Sequence, residues 1–261
     1  MPEPSLSERN ISRPIAGLNA NAPLPQLCGE LDCQVNKFLQ TESTNELVRS
    51  VQTQTRASLA VIREALQRYP LSSLSLSYNG GKDCLVLLIL FLSALSGEEA
   101  PLPDTLQSVY IVPEHPFPEV DDFVAHTAQL YRLDLARYSL PMKAAFEEYL
   151  HEKEGGVKAI FVGTRRTDPH GADLSSFDET DRGWPKFMRV HPVLEWRYAE
   201  IWTVPYCSLY DLGYTSLGGT TDTHPNPALR AKTQDTEGED SEMFRPAYEL
   251  LQDEAERLGR D

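Results

Sequence analysis

The residues best suited to chemistry lie in one short run, SYNGGKDC over 77–84. Two adjacent glycines, Gly80 and Gly81, sit where an alternating, strand-like stretch gives way to a long apolar one. Glycines at such a junction accept positive φ and let the backbone approach a ligand closely. The N–H groups opening the next helix lack intrahelical partners and lie at the positive end of its dipole. Ser77 to Cys84 thus outline a phosphate cradle, in which Asn79 and the glycine N–H groups hold oxygens and Lys82 adds charge. Cys84 fits a buried, structural thiol at the same loop. Asp83 is out of place beside polyphosphate unless a cation stands between them, and Mg²⁺ typically takes one or two carboxylates plus phosphates and water. Each of these residues also has a plain reading: Gly80-Gly81 as a tight turn, Lys82 as a solvated helix-start lysine, Asp83 as a first-turn carboxylate favoured by the dipole. A Walker loop is excluded, because Leu76 stands where its first glycine belongs and Asp83 follows Lys82 where Ser or Thr is required.

A second basic cluster follows in GTRRTDP, 163–169. Arginine suits bidentate phosphate contact. Successive side chains on an extended segment point opposite ways, so one of Arg165 and Arg166 is expected on phosphate and the other in an ion pair. Asp168 either orients that pair or begins the turn before Pro169, and Gly163 allows close approach. The histidines are scattered, which disfavours a metal cluster, and neither a triad nor a pair of catalytic carboxylates is found.

The elements that must position these loops read as an α/β domain. Apolar residues at helical spacing over 37–69 predict a helical segment ended by Pro70. Strands are expected at 71–78, 108–113, 136–141 and 158–163, with a short one at 189–194. Helices are expected at 84–95, apolar nearly all round and therefore buried, at 119–133, and from 142 to a stop at Gly155-Gly156. Alternation of this kind implies a largely parallel sheet with helices on both faces, whose ligands sit beyond the carboxyl ends of the strands. The loops after strands one, two and four converge there. Residues 1–36 read as a disordered tail, 37–232 as the catalytic domain, and 233–261 as an acidic linker and an irregular or helical C-terminal segment.

Composition bounds the partners. A net charge of −15 over 261 residues argues against nucleic acid. An anionic small molecule would then need local positive charge, and Lys153 to Arg197 supplies eight basic against seven acidic residues. No run reaches the roughly 18–20 apolar residues of a membrane span, and no secretory signal is evident. Four scattered cysteines, Cys28, Cys33, Cys84 and Cys207, predict a reduced, cytoplasmic protein. A monomer is expected.

The stretches SYNGGKDCLVLLIL, VYIVPEHPFPEVDDF, FVGTRRTDPHG, TDRGWPKFMRVHPVLEW, VPYCSLYDLGYTSLGGTTDTHPNPAL and RPAYEL together resemble the fungal-type FAD synthases. These are FMN adenylyltransferases of the PP-loop ATP pyrophosphatase superfamily, related to 3′-phosphoadenylylsulfate reductases. The resemblance runs from about residue 40 to 261. Asn79 and Cys84 depart from the superfamily loop, where serines are usual. The resemblance implies the adenine nucleotide hydrolase-like fold and substrates ATP and FMN, with FAD and pyrophosphate as products. It also implies Mg²⁺ at Asp83, adenine walls at Ile111 and Phe117, and catalytic roles for Asn79, Lys82, Asp83 and Arg165. The flavin is implied to rest on Asp168, Asp181, Trp184 and Phe187, with Arg257 and Arg260 folding back from the tail; for Trp184 and Phe187, core packing is an equal alternative. This tail is expected to lie apart from the phosphate loop. Where the family normally carries several more residues, completing a helix, only Thr203 separates Trp202 from Val204-Pro205, so the helix near Arg197 to Trp202 is expected not to exceed about two turns. The competing functions are a sulfonucleotide reductase, which needs a C-terminal cysteine that is missing after Cys207; a tRNA-thiolating ATPase, which needs more cysteines and a basic face; and a non-catalytic ATP-binding relative.

Overall fold

The computed structural model describes residues 18–19, 21–202, 206–231 and 243–261. The acidic linker, residues 1–17 and the Thr203 junction lie outside them. The chain opens with α1 (Leu24–Gln40) and α2 (Glu46–Arg68). The expected tail is therefore too long: Leu24, Leu27, Cys28 and Leu31 recur at helical spacing and are buried, the helix packing on the helix over Lys82–Leu95. The segment read as one helix over 37–69 is broken because Asn45 caps α2, its side chain accepting from the N–H groups of Leu47 and Val48 at 2.9 and 3.3 Å.

The sheet comprises β1 (Leu74–Ser77), β2 (Leu106–Ile111), β3 (Leu133–Tyr138), β4 (Ala159–Phe161), β5 (Phe177–Glu179) and β6 (Met188–Val190), in the order β3-β2-β1-β4-β6-β5. All neighbours are parallel except β5, which runs antiparallel at the edge. β5 escapes the sequence reading because three polar-flanked residues carry no alternation to detect. β3 begins three residues earlier than expected, since Leu133 pairs with Leu106. The intervening helices are α3 (Lys82–Leu95), α4 (Pro118–Leu130) and α5 (Met142–Glu152).

Burial explains the layering. Leu74, Leu76, Phe161 and Val190 face a core shared with α1 to α4, and α3 is buried along nearly its whole length. Val109 and Ile160 face the opposite layer, where α5 contributes Ala145, Phe146 and Tyr149. The Ser75 hydroxyl, which points into that second layer, is satisfied by Tyr149 Oη at 2.6 Å. Because β1 pairs with β2 on one side and β4 on the other, the chain changes direction at β1. In such sheets the ligand crevice lies at the carboxyl ends of the strands at this point.

Just past β6, His191 is 2% exposed and neither ring nitrogen has a hydrogen-bond partner among the described residues. Burial, helped by Arg189, pulls its pKa from 6.5 to about 4. The folded state thus binds fewer protons than the unfolded chain below pH 6.5, and stability present above that pH is lost as pH falls toward 4, by up to about 3 kcal/mol. Chemical denaturation of His191→Asn is expected to show a flatter loss between pH 6.5 and 4 than the unmutated protein. Equal slopes would mean that other groups govern this range.

Candidate active site

A cavity of about 400 Å³ occupies the crevice. Its floor is the loop between β1 and α3. Gly80 has φ +71°, and a Cβ there would lie 2.6 Å from Val124 Cγ2, so only glycine fits. Gly163, after β4, approaches the start of α3 so closely that a Cβ would stand 2.9 Å from the Cys84 nitrogen. The first close approach seats the β1 loop on α4, and the second brings the β4 loop against the start of α3.

The loop's own groups are partly spent within the chain. Asn79 Oδ1 accepts from the Gly81 N–H at 2.9 Å, which leaves its amide nitrogen as the donor for a ligand. The Lys82 N–H reaches Tyr210 Oη at 3.3 Å. Ser77 closes β1 and is absent from the cavity lining. Burial, then Asp83, pushes the Cys84 thiol up to about 12, in keeping with a structural role.

The main departure from the sequence reading concerns the cations. Lys82 is 2% exposed, with Nζ 5.3, 5.7 and 5.9 Å from the ring centroids of Tyr198, Tyr210 and Trp202. It pairs with Glu256 Oε1 at 2.6 Å and Asp83 Oδ2 at 3.1 Å. Arg165 is fully buried, with Nε 2.6 Å from Asp83 Oδ1 and Nη2 on Glu256 Oε2. Burial alone would depress both cations, but Asp83 and Glu256 outweigh it and hold both pKa values up. Two cations and two carboxylates therefore form a charge-balanced network at the cavity floor, to which Lys82, Asp83 and Glu256 contribute lining, rather than Lys82 and Arg165 standing without partners. The expected split between the two arginines is found, since Arg166 turns outward to Glu195 and donates to the carbonyls of Ala172 and Leu174 at 2.8 Å. The inward member, however, meets carboxylates.

Glu256 went unnoticed in the sequence, as did the device that puts it there. The tail forms 3₁₀ turns over Ala247–Glu249 and Asp253–Gly259. Thr215 Oγ1 donates to the Glu256 carbonyl at 2.5 Å and Asn226 Nδ2 to the Ala255 carbonyl at 2.7 Å, both from buried residues. His224 N–H reaches the Gly259 carbonyl at 3.0 Å, and Arg260 pairs with Asp222 at 2.8 Å. The expectation that the tail lies apart from the phosphate loop is thus overturned. Both Arg257 and Arg260 line the cavity, but not through helical spacing: Arg260 lies past the 3₁₀ turn, in extended backbone bridged to Thr223. Arg257 is exposed and has no ion-pair partner among the described residues.

Ile111 lines the cavity as expected, joined by Pro113, Val120 and Leu217. Phe117 does not: it precedes α4 and packs edge-on against Tyr214, with centroids 5.4 Å apart. Asp168 lines the cavity and accepts from the Arg165 N–H at 2.8 Å. Asp181, Trp184 and Phe187 are not in the lining; they belong to the hairpin joining β5 to β6. Phe187 is core, 5.1 Å from Phe146 between centroids, so its packing reading prevails. Asp181 faces Arg189 at 3.6 Å, and Trp184 is half-exposed.

Residues 73–225 match the phosphoadenosine phosphosulfate reductase domain family. Over 236 residues the chain is 43% identical to a probable FAD synthase of Schizosaccharomyces pombe, covering 87% of this chain and 85% of that protein. The chain belongs to the FAD synthase family. It is also 34% identical to the flavin adenine dinucleotide synthase of Saccharomyces cerevisiae, over 78% of this chain and 75% of the relative. Its structure superposes with a TM-score of 0.84 on the FMN adenylyltransferase of Candida glabrata in complex with FMN and the ATP analogue AMPCPP, at 29% identity, covering 92% of this chain and 100% of the other.

Membership of the FAD synthase family removes the need for the reductase's cysteine, and the thiols agree. Burial pushes Cys28 up to about 12 and Cys207 up to about 11, so neither is an activated nucleophile. The helix expected near Arg197 to Trp202 is reduced to one 3₁₀ turn, Tyr198–Glu200, yet it still delivers Tyr198 and Trp202 to the Lys82 cage. In this FAD synthase fold the shortened segment therefore retains a packing role.

Proposed function

We propose that this protein catalyses adenylyl transfer from ATP to FMN, giving FAD and pyrophosphate. The observation that carries the reading is a single cavity lined both by the β1 loop and by Arg257, which has no ion-pair partner among the described residues. Its volume falls in the range of small-molecule sites, about 300–1,000 Å³. A phosphate oxygen of FMN attacks the α-phosphorus of ATP, and the bond to the bridging oxygen of pyrophosphate breaks. That oxygen is already anionic at neutral pH, so no proton need be removed, and no histidine is found among the residues lining the cavity. Catalysis rests on positioning and on charge placed to meet the transition state.

The positioning is divided between walls. Asn79 Nδ2 and the loop that Gly80 and Gly163 shape would hold phosphate oxygens, and Ile111, Pro113 and Leu217 would flank the adenine. Arg257, with Arg260 behind it, would meet the FMN anion. The flavin ring would extend along the α5 side of the sheet. Met142, which opens α5, lines the cavity, and one turn on Phe146 backs the hairpin that carries Asp181 and Trp184.

The donors present fit Mg²⁺. Asp83 and Asp168 both line the cavity, and burial, with a contribution from the Asp83 charge, holds the Asp168 pKa up. A divalent cation would relieve that repulsion, and two carboxylates beside substrate phosphates is a magnesium-like donor set. When bound it would neutralise charge on the transferring phosphate. We assign a monomer, a cytoplasmic location suggested by the scattered cysteines, and a catalytic unit starting at α1 and including the C-terminal segment. No helix among the described residues is long and apolar enough to cross a membrane.

Incubation of folded protein with MgATP and FMN, followed by chromatography, should yield FAD and pyrophosphate; absence of FAD at saturating substrates overturns the assignment. A parallel incubation with 3′-phosphoadenylylsulfate and thioredoxin should give no reduction. Arg257→Ala is expected to raise the FMN Kd about tenfold, equivalent to about 1.4 kcal/mol, with ATP affinity within about twofold. Fluorescence titration of FMN and calorimetric titration of ATP would separate this from general destabilisation, which weakens both.

A further inference from the structure

Lys82 and Arg165 are 2% and 0% exposed, and each gives its charge to a different oxygen of one carboxylate, Glu256, itself 5% exposed. Glu256 belongs to the C-terminal segment, and the next residue is Arg257, whose charge is unmatched at the cavity wall. Lys82 is the first residue of α3 and so part of the phosphate loop, while Arg165 follows β4. A buried cation cannot lose its partner cheaply. A shift of the phosphate loop must therefore carry Glu256 with it, and Glu256 carries Arg257. We propose that Glu256 is a positioning residue that couples the two substrate sites, so that occupation of the phosphate loop by ATP strengthens FMN binding at Arg257. This inference rests on the adenylyl-transfer reading of the cavity.

The coupling follows from a shared ordering step. The Thr215 and Asn226 hydrogen bonds fix the backbone at Ala255 and Glu256, and the ion pairs fix the Glu256 side chain on the loop. The Arg257 side chain is the part left for a ligand to organise. A ligand that rigidifies one side of such a connection leaves less ordering for the second ligand to impose. Linkage makes the effect reciprocal, so FMN strengthens ATP binding by the same factor.

The test is the FMN dissociation constant, read by quenching of flavin fluorescence, with and without Mg²⁺ and saturating α,β-methylene-ATP, which cannot transfer its adenylyl group. In the unmutated protein the analogue is expected to tighten FMN binding about tenfold, within the usual range of coupling between sites. In Glu256→Gln the factor should fall to within about twofold of unity while FMN still binds. Glu256→Asp keeps the charge but is too short to span both cations, and should give an intermediate factor if the glutamine variant does not fold. Full coupling in either folded variant, or no coupling in the unmutated protein, overturns the inference alone. Failure of the unmutated protein to bind FMN at all overturns this inference and the adenylyl-transfer reading together.

Discussion

Replacing Asp83 by asparagine is expected to lower FAD formation by on the order of 10²-fold or more, the usual scale for losing one preorganised electrostatic contact at a reacting phosphate or carbonyl. Two effects act together. The carboxylate is one of two in the cavity suited to a divalent cation, and it also balances Lys82 at 3.1 Å and Arg165 at 2.6 Å. Asparagine retains the shape but leaves those cations sharing Glu256 alone. FMN affinity should survive, because Asp83 pairs with Lys82 and Arg165 and not with Arg257. Steady-state rates across a magnesium titration, beside FMN titrations of the same variant, check both halves. Unchanged turnover at every magnesium concentration would reduce Asp83 to a first-turn carboxylate favoured by the helix dipole.

Arg165→Ala should produce the largest loss of stability, about 3–5 kcal/mol, as expected when one member of a buried ion pair is removed and its partner stays behind. Glu256 would retain Lys82, whereas Asp83 would keep only the longer Lys82 contact. For a chain of this size the melting temperature should fall by roughly 10 °C. Arg165→Lys restores the charge but not the fork that reaches both carboxylates, so it should recover part of the stability and little of the geometry. Calorimetric melting of the two variants tests this. An alanine variant that melts with the unmutated protein would show that the network adds nothing to the fold. Arg166, outward on Glu195, should lose less on the same change, since solvent screens an exposed pair.

The contrast between these two adjacent arginines shows how far sequence reasoning reaches. Alternation along an extended segment is a local rule, so it divides inward from outward. It cannot say what waits inside. The aromatic residues behave likewise: the family resemblance points Trp184 and Phe187 toward a flavin ring, but only contact with Phe146 shows that Phe187 is committed to the core.

What the sequence by itself determined follows from short-range physics. The all-round apolar run of α3 can only be buried, the glycine pair marks a tight turn or a close approach, and the alternation of strands and helices implies a largely parallel sheet with loops gathered at one end. The tertiary structure decided what depends on distant residues. Lys82 and Glu256 are 174 residues apart in the chain and 2.6 Å apart in space. No periodicity or local propensity records that pairing, because a salt bridge requires only that two side chains meet, and their meeting depends on Thr215 and Asn226 holding a tail that has no regular helix of its own. The same holds for α1: its four buried apolar residues lie at helical spacing in a proline-bearing stretch, and most helical stability in a protein comes from the tertiary surface an amphipathic face covers rather than from propensity.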